Sequence, residues 1–234
     1  ESADSADSAD SADSADSAQD KTLSKLANVL AQPETITSIG KLKNPTAGNA
    51  VALIETADSW QLYSFNGIAE DEQGQARMSD QAWQANLNKT TAQSNLSLAL
   101  ADITWTSLPS VPTVQKRTGR YVTASAVIEH YIFLLGGYSA NTVKPVTRHS
   151  DTQNVSDFYQ FDTKLTSYTK LADMPVAVDD TVLLPYQNRF LYVVSGWHKN
   201  SAVSLVQVFD TYRNQWFQAT SLPIGGMSGH SGGI

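Results

Sequence analysis

The sequence predicts an all-β repeat protein built from four-stranded sheets, and three observations carry that expectation. First, the stretch from Tyr121 to Pro223 states one pattern twice. Each statement is an apolar run, a polar break, a second apolar run ending in glycine, a loop, a third run closing on Phe-Asp, and an aromatic strand ending in an apolar-Pro pair. Second, the copies align at particular residues: Gly137 with Gly196, Phe161-Asp162 with Phe209-Asp210, Tyr168 with Trp216, and Met174-Pro175 with Leu222-Pro223. Third, Trp105 with Leu108-Pro109 repeats the closing phrase upstream, so the closing prolines fall at 109, 175 and 223. A unit that cannot bury its apolar faces alone must stack on its neighbours, and self-similarity on this scale marks such stacks.

Taken in order, Glu1 to Ala18 is a Ser-Ala-Asp tandem repeat with no large apolar group, expected to stay disordered as a spacer within a tail of residues 1–19. Calcium binding by its aspartates would need a loop-forming glycine that the repeat lacks. Residues 20–49 form a linker in which Asp20 to Ala31 reads as a short helix, with Leu23, Leu26 and Leu30 on one face and Pro33 as a stop. Ala50 to Ile54 and Trp60 to Phe65 read as a hairpin, with Asn66-Gly67 where later units carry their terminal glycine. The rest of this first unit, residues 50–109, is eroded. Its third strand is either Leu96 to Leu100, where Leu98 stands seven before Trp105, or the segment around Trp83.

The second unit, 120–175, places strands at Tyr121–Ile128, Tyr131–Leu135, Asp157–Asp162 and Tyr168–Leu171, with a long loop from Tyr138 to Ser156. The third, 180–223, places them at Thr181–Tyr186, Phe190–Ser195, Val203–Asp210 and Gln215–Ala219. The first two strands of each unit are apolar on both faces, as strands sandwiched between neighbouring sheets must be. Outer strands alternate, because one edge meets water. From Gly229 the chain reads as the start of a further unit, so the sequence is expected to be a truncated piece of a longer protein.

These marks resemble the kelch repeat, a four-stranded propeller blade with a period of roughly 50 residues. Its signature is Gly-Gly after the second strand, then an aromatic residue and a Trp seven residues apart across the third and fourth. Gly136-Gly137 matches fully and Ser195-Gly196 in part; Trp216 matches, whereas Tyr168 stands where the family has Trp. The resemblance implies a partial kelch-type β-propeller of about three blades. Two relatives frame its chemistry, galactose oxidase and the bacterial sialic acid mutarotase. The first implies a copper site with a Tyr crosslinked to Cys, which a chain without cysteine cannot build. The second implies acid/base groups on the propeller funnel.

Composition narrows the partners. The net charge of −7 comes from the seven acids of residues 1–20; the other 16 acids balance 16 bases, so nothing points to nucleic acid. Absence of cysteine removes disulfides, thiolate metal sites and cysteine nucleophiles together. No apolar run approaches the roughly 18 residues of a membrane span. The expected setting is periplasmic or extracellular, with the full-length propeller a monomer.

In a propeller blade the first strand starts on the face where the second ends. The segments Val111–Arg120, Tyr138–Ser156, Val176–Asp180, Trp197–Ala202 and Ile224–His230 therefore share one rim. That rim gathers Arg117, Arg120, Arg148, His149, Asp179, Asp180, Trp197, His198 and His230. Asp179 and Asp180 are adjacent carboxylates whose repulsion raises one pKa, which suits acid/base work or binding of a hydroxyl, and the resemblance to the mutarotase implies Arg120 as the group that would hold a substrate carboxylate. Equally, one Asp caps the turn after Pro175 and the other is solvated. Trp197-His198 offers a stacking platform for a sugar ring with a polar neighbour, or else Trp197 packs on the next blade. Arg117 and His230 complete the candidate ligand-binding set. No two histidines have metal-ligand spacing, so no metal and no cofactor are expected. The glycine-rich Gly225–Gly233 has no Walker lysine and reads as a turn. Sequons at Asn88, Asn95 and Asn154 occur at a frequency chance allows. The functions that remain are a rim that binds a glycan or a protein, a sugar mutarotase, or a structural spacer.

Overall fold

A computed structural model describes residues 40–90, 103–112, 117–141 and 152–233. The Ser-Ala-Asp tail, the expected helix at Asp20–Ala31, Leu96–Leu100, Arg148 and His149 lie outside them. In the first blade β1 (Thr46–Ala47), β2 (Ala50–Glu55), β3 (Ser59–Phe65), β4 (Ile68–Glu70), β5 (Ala76–Met78), β6 (Ala82–Asn88) and β7 (Trp105–Leu108) follow one another. β2-β3-β6-β7 form the antiparallel blade sheet, and β1-β4-β5 form a small sheet beside it.

The second blade repeats this plan with β8 (Arg117–Tyr121), β9 (Ala124–Ile128), β10 (Tyr131–Leu135), β11 (Tyr138–Asn141), β12 (Thr152–Asn154), β13 (Phe158–Asp162) and β14 (Ser167–Lys170). Its blade order is β14-β13-β10-β9, and its small sheet is β12-β11-β8. The third blade holds β15 (Val182–Tyr186), β16 (Phe190–Val194), β17 (Trp197–His198), β18 (Ser201–Ala202), β19 (Val206–Asp210) and β20 (Gln215–Ala219), in blade order β15-β16-β19-β20 with β17-β18 as its small sheet. Among the described residues the fold is thus all-β, with three four-stranded sheets arranged as blades of a partial propeller. No described helix is long and apolar enough to cross a membrane.

One local device recurs at the end of every second strand. Asn66-Gly67, Gly136-Gly137 and Ser195-Gly196 each place two successive residues at positive φ, near +60° and then between +100° and +115°. The first conformation tolerates Asn or Ser; the second favours glycine. A Cβ at Gly137 would stand 2.8 Å from the Tyr121 carbonyl oxygen, and one at Gly196 would stand 2.9 Å from that of Asp179. The chain therefore turns out of the blade at a fixed residue and lies against the strand or segment that leads into the blade.

That turn explains a difference from expectation. Two of the segments read as rim loops, Tyr138–Ser156 and Trp197–Ala202, carry the hairpins β11-β12 and β17-β18, and in the first blade β4-β5 likewise follows the glycine. Their backbone groups pair with β8, with Asp179 and with β1 respectively, because donors and acceptors next to a packed rim need partners. The first blade also settles an open choice. Its third strand is Ala82–Asn88, so Trp83 sits on it, opposite Ser64 and Ser107.

Blade stacking buries two cores. Between the first and second blades, Tyr63, Phe65, Val111, Ile132, Leu134 and Phe161 pack with Tyr168 at the margin. Between the second and third, Phe133, Leu135, Phe158, Leu183, Leu191, Val193 and Phe209 pack with Trp216 at the margin. The aromatic pairs of the repeat become contacts: ring centroids of Phe161 and Tyr168 lie 4.7 Å apart, and those of Phe209 and Trp216 lie 5.0 Å apart. Each outer aromatic donates from its polar tip to the loop closing the previous blade. The Tyr168 hydroxyl reaches the Pro109 carbonyl, and the Trp216 indole N–H reaches the Ala172 carbonyl, both at 2.9 Å. Alternation along β10 sends Ile132 and Leu134 to one core and Phe133 and Leu135 to the other.

Candidate functional site

Between the small sheet of the second blade and the hairpin of the third lies a cleft of about 640 Å³, lined by Tyr138, Gln153, Asn154, Ala177, Trp197, His198, Lys199 and Asn200. Three segments converge here because each follows a blade boundary or a positive-φ turn: β11-β12 from one side, the linker Val176–Asp180 below, and β17-β18 from the other. Two of the sequence candidates, Trp197 and His198, line it.

Trp197 is 38% exposed, and its indole N–H already donates to the Lys199 carbonyl at 3.0 Å. What it offers a ligand is therefore its ring face. His198 Nδ1 lies 2.6 Å from the Ala177 carbonyl oxygen. A carbonyl only accepts, so Nδ1 carries the proton and neutral His198 keeps a lone pair on Nε2. Gln153 and Asn200 add amides that both donate and accept, and Lys199 adds an ammonium.

Asp179 sits behind the cleft wall. Its backbone exchanges two hydrogen bonds with Trp197, at 3.0 and 2.9 Å, and the residue is 5% exposed. Asn154 Nδ2 donates to its carboxyl Oδ2 at 2.5 Å. Burial first, and then the neighbouring charge of Asp180, push the Asp179 carboxyl up to about 7, against the pull of the Asn154 donor. The adjacent-carboxylate argument therefore acts on Asp179, with desolvation as the larger cause. Asp180 adopts a positive φ of 50°, and its carbonyl accepts from the Gly229 amide at 3.1 Å. It does not line the cleft.

Arg120 and His230 stand apart from the cleft lining. Arg120 is on β8, 3% exposed; its guanidinium binds Asp157 at 2.9 Å and the Pro112 carbonyl at 3.3 Å, and it lies over the Tyr159 ring. Its carboxylate partner is thus internal. Arg117 opens β8, in register with Asn141. His230 donates from Nε2 to the Val194 carbonyl at 2.9 Å, on the segment that passes Asp180. Among the described residues, no group of three His, Asp or Glu side chains is placed to hold a metal ion.

Sequence reasoning passed over Asn154, Tyr138, Gln153, Lys199 and Asn200. Asn154 was visible only as a sequon, yet its side chain is occupied: besides Asp179 it donates to the Trp197 carbonyl at 3.1 Å and accepts from the Lys199 amide at 2.8 Å. The signal that could have found it was its position in the segment after Gly137, on the same rim as Trp197.

No family model and no curated protein sequence matches the chain. Among solved structures it is similar to YjhT, with a TM-score of 0.59 and 18% sequence identity, over 82% of this chain and 56% of that one. The chain thus spans about half the length of that structure, and the likeness extends to the propeller fold.

Proposed function

We propose that this protein is a propeller module that binds a carbohydrate in the rim cleft between β12 and the β17-β18 hairpin. The observation that carries the reading is the half-exposed indole face of Trp197, fixed by its own N–H bond and surrounded by Gln153, His198, Lys199 and Asn200. A sugar ring has an apolar C–H face and an equatorial set of hydroxyls. An aromatic face beside planar amides meets both needs. A protein loop bearing the same groups is the other occupant the rim admits. The test is a glycan array followed by calorimetry on the best hit. Trp197→Ala should weaken that binding by at least about tenfold, and wild-type protein that binds no glycan sinks the reading.

A second reading, sugar anomer interconversion of the sialic acid mutarotase type, draws on a different observation. His198 lines the cleft with Nδ1 committed to the Ala177 carbonyl, which leaves Nε2 as its atom for proton exchange, and the Asp179 carboxyl is pushed up to about 7 behind it. General acid–base catalysis favours groups whose pKa lies near the working pH. Arg120 is engaged by Asp157, so a substrate carboxylate here would fall to Lys199. An NMR anomerisation assay decides it: His198→Gln at the wild-type rate removes this reading and leaves the binding one.

A further inference from the structure

Besides the backbone bonds of Trp197 with Asp179 and the His198 bond to the Ala177 carbonyl, the cleft wall Trp197–Lys199 is tied, among the described residues, to the second blade by one amide side chain. Asn154 Nδ2 donates to Asp179 Oδ2 and to the Trp197 carbonyl, while its Oδ1 accepts from the Lys199 backbone N–H. All three hydrogen-bonding directions therefore lead to the hairpin or to the residue that bridges it. Asp179 is the chemically unusual member. Among the described residues no cation pairs with its buried carboxyl, and Asn154 is the side chain that donates to it.

We propose that Asn154 and Asp179 form a proton-operated latch on the cleft, holding the Trp197–Lys199 wall when the carboxyl is ionised and loosening it when the carboxyl is protonated. An N–H bond to a carboxylate is roughly twice as strong as one to a neutral acceptor. A protonated carboxyl moreover carries its own O–H, which competes with the Lys199 backbone N–H for Oδ1 of Asn154. An amide that turns to accept this proton gives up its bond from Lys199. Among the described residues, the charged and titratable groups around the pair are Asp180 beside it in the chain, Tyr138 on β11 opposite Asn154, His198 and Lys199 on the hairpin, and His230 on the segment that passes Asp180. Asp180 and burial both oppose ionisation, which brings the switch close to neutral pH. The consequence for affinity rests on the carbohydrate reading, since a ligand stacked on Trp197 is gripped less firmly once the wall is loose. The latch itself belongs to the free protein.

The test needs no ligand. Protein labelled with 5-fluorotryptophan is titrated from about pH 5 to about pH 9 by fluorine NMR, and the Trp197 resonance is identified by its loss in Trp197→Phe. The expected result is a Trp197 shift with a midpoint within about one unit of pH 7. It vanishes in Asp179→Asn, persists in His198→Gln and moves to lower pH in Asp180→Asn. The other four tryptophans report whether each variant is folded. Should Asp179→Asn not fold, Asn154→Ala replaces it, and there the Trp197 signal is expected to stop titrating. A Trp197 signal independent of pH in the wild type, a titration that survives in Asp179→Asn, or one lost in His198→Gln overturns the latch. Failure of glycan binding sinks the carbohydrate reading and leaves this result untouched.

Discussion

Asp179 shows what burial does to a single carboxyl. The folded chain holds its proton until about pH 7, whereas an unfolded Asp releases it near its ordinary value, around pH 4. The sign follows from linkage: the unfolded state binds fewer protons between those limits, so stability falls as pH rises through the window. Asp179→Asn keeps an acceptor for Asn154 and removes the penalty. Thermal melts should show the variant more stable than wild type at pH 8, by about 1–2 kcal/mol once screening by water in the cleft is allowed for. The difference should close towards pH 4; equal melting temperatures at pH 8 would contradict the buried-charge account. The adjacent acids and the exposed aromatic were legible because they are neighbours in sequence. Asn154 was not, because its partners lie 25, 43 and 45 residues away and nothing local marks them.

Strand ends and turns carry most of what composition and spacing reveal. The second residue after each second strand must reach a φ between +100° and +115°, and glycine marks that need in the sequence. Gly196→Ala should therefore destabilise by about 1–3 kcal/mol in denaturant melts. Because Gly196 precedes Trp197, the proposed carbohydrate reading expects the same substitution to abolish glycan binding while the second blade keeps its structure. The Phe-Asp mark has an equally local cause: Asp162 caps the amides of Lys164 and Leu165, and Asp210 caps Tyr212, closing the turn to the fourth strand. In the third blade Arg189 binds Asp210 through two bonds, at 2.9 and 2.6 Å, and the Arg189 bond first, with backbone donors, holds that carboxyl down to about 2. A lowered carboxyl stabilises above its unfolded pKa and loses the effect as pH falls. Arg189→Ala should accordingly lower the melting temperature at pH 7, with the gap narrowing towards pH 2. The first blade hid its third strand because it lacks the Phe-Asp turn. Its third and fourth strands are separated by residues 89–104, so a spacing of seven had no structural cause there.

Stacking sets how the blades share stability. The two buried clusters have no residue in common, and the second blade supplies a face to each, Ile132, Leu134 and Phe161 on one side, Phe133, Leu135 and Phe158 on the other. Such an arrangement is close to a one-dimensional array, where each unit gains from its own sheet and from each neighbour. Phe209 is fully buried, with its ring centroid 4.8 Å from that of Phe158 and 5.0 Å from that of Trp216. Phe209→Ala removes most of that contact, a loss of about 3–5 kcal/mol for a buried phenylalanine. In an array the loss stays with the third blade and the face it shares with the second. Hydrogen exchange read by mass spectrometry should then show amides of β16 and β19 exchanging orders of magnitude faster, β13 moderately faster, and β3 close to its wild-type rate. Equal acceleration in β3, β13 and β16 would mean that the three blades open as one cooperative unit. The rim cleft, built from the second and third blades alone, would then depend on the first blade as well.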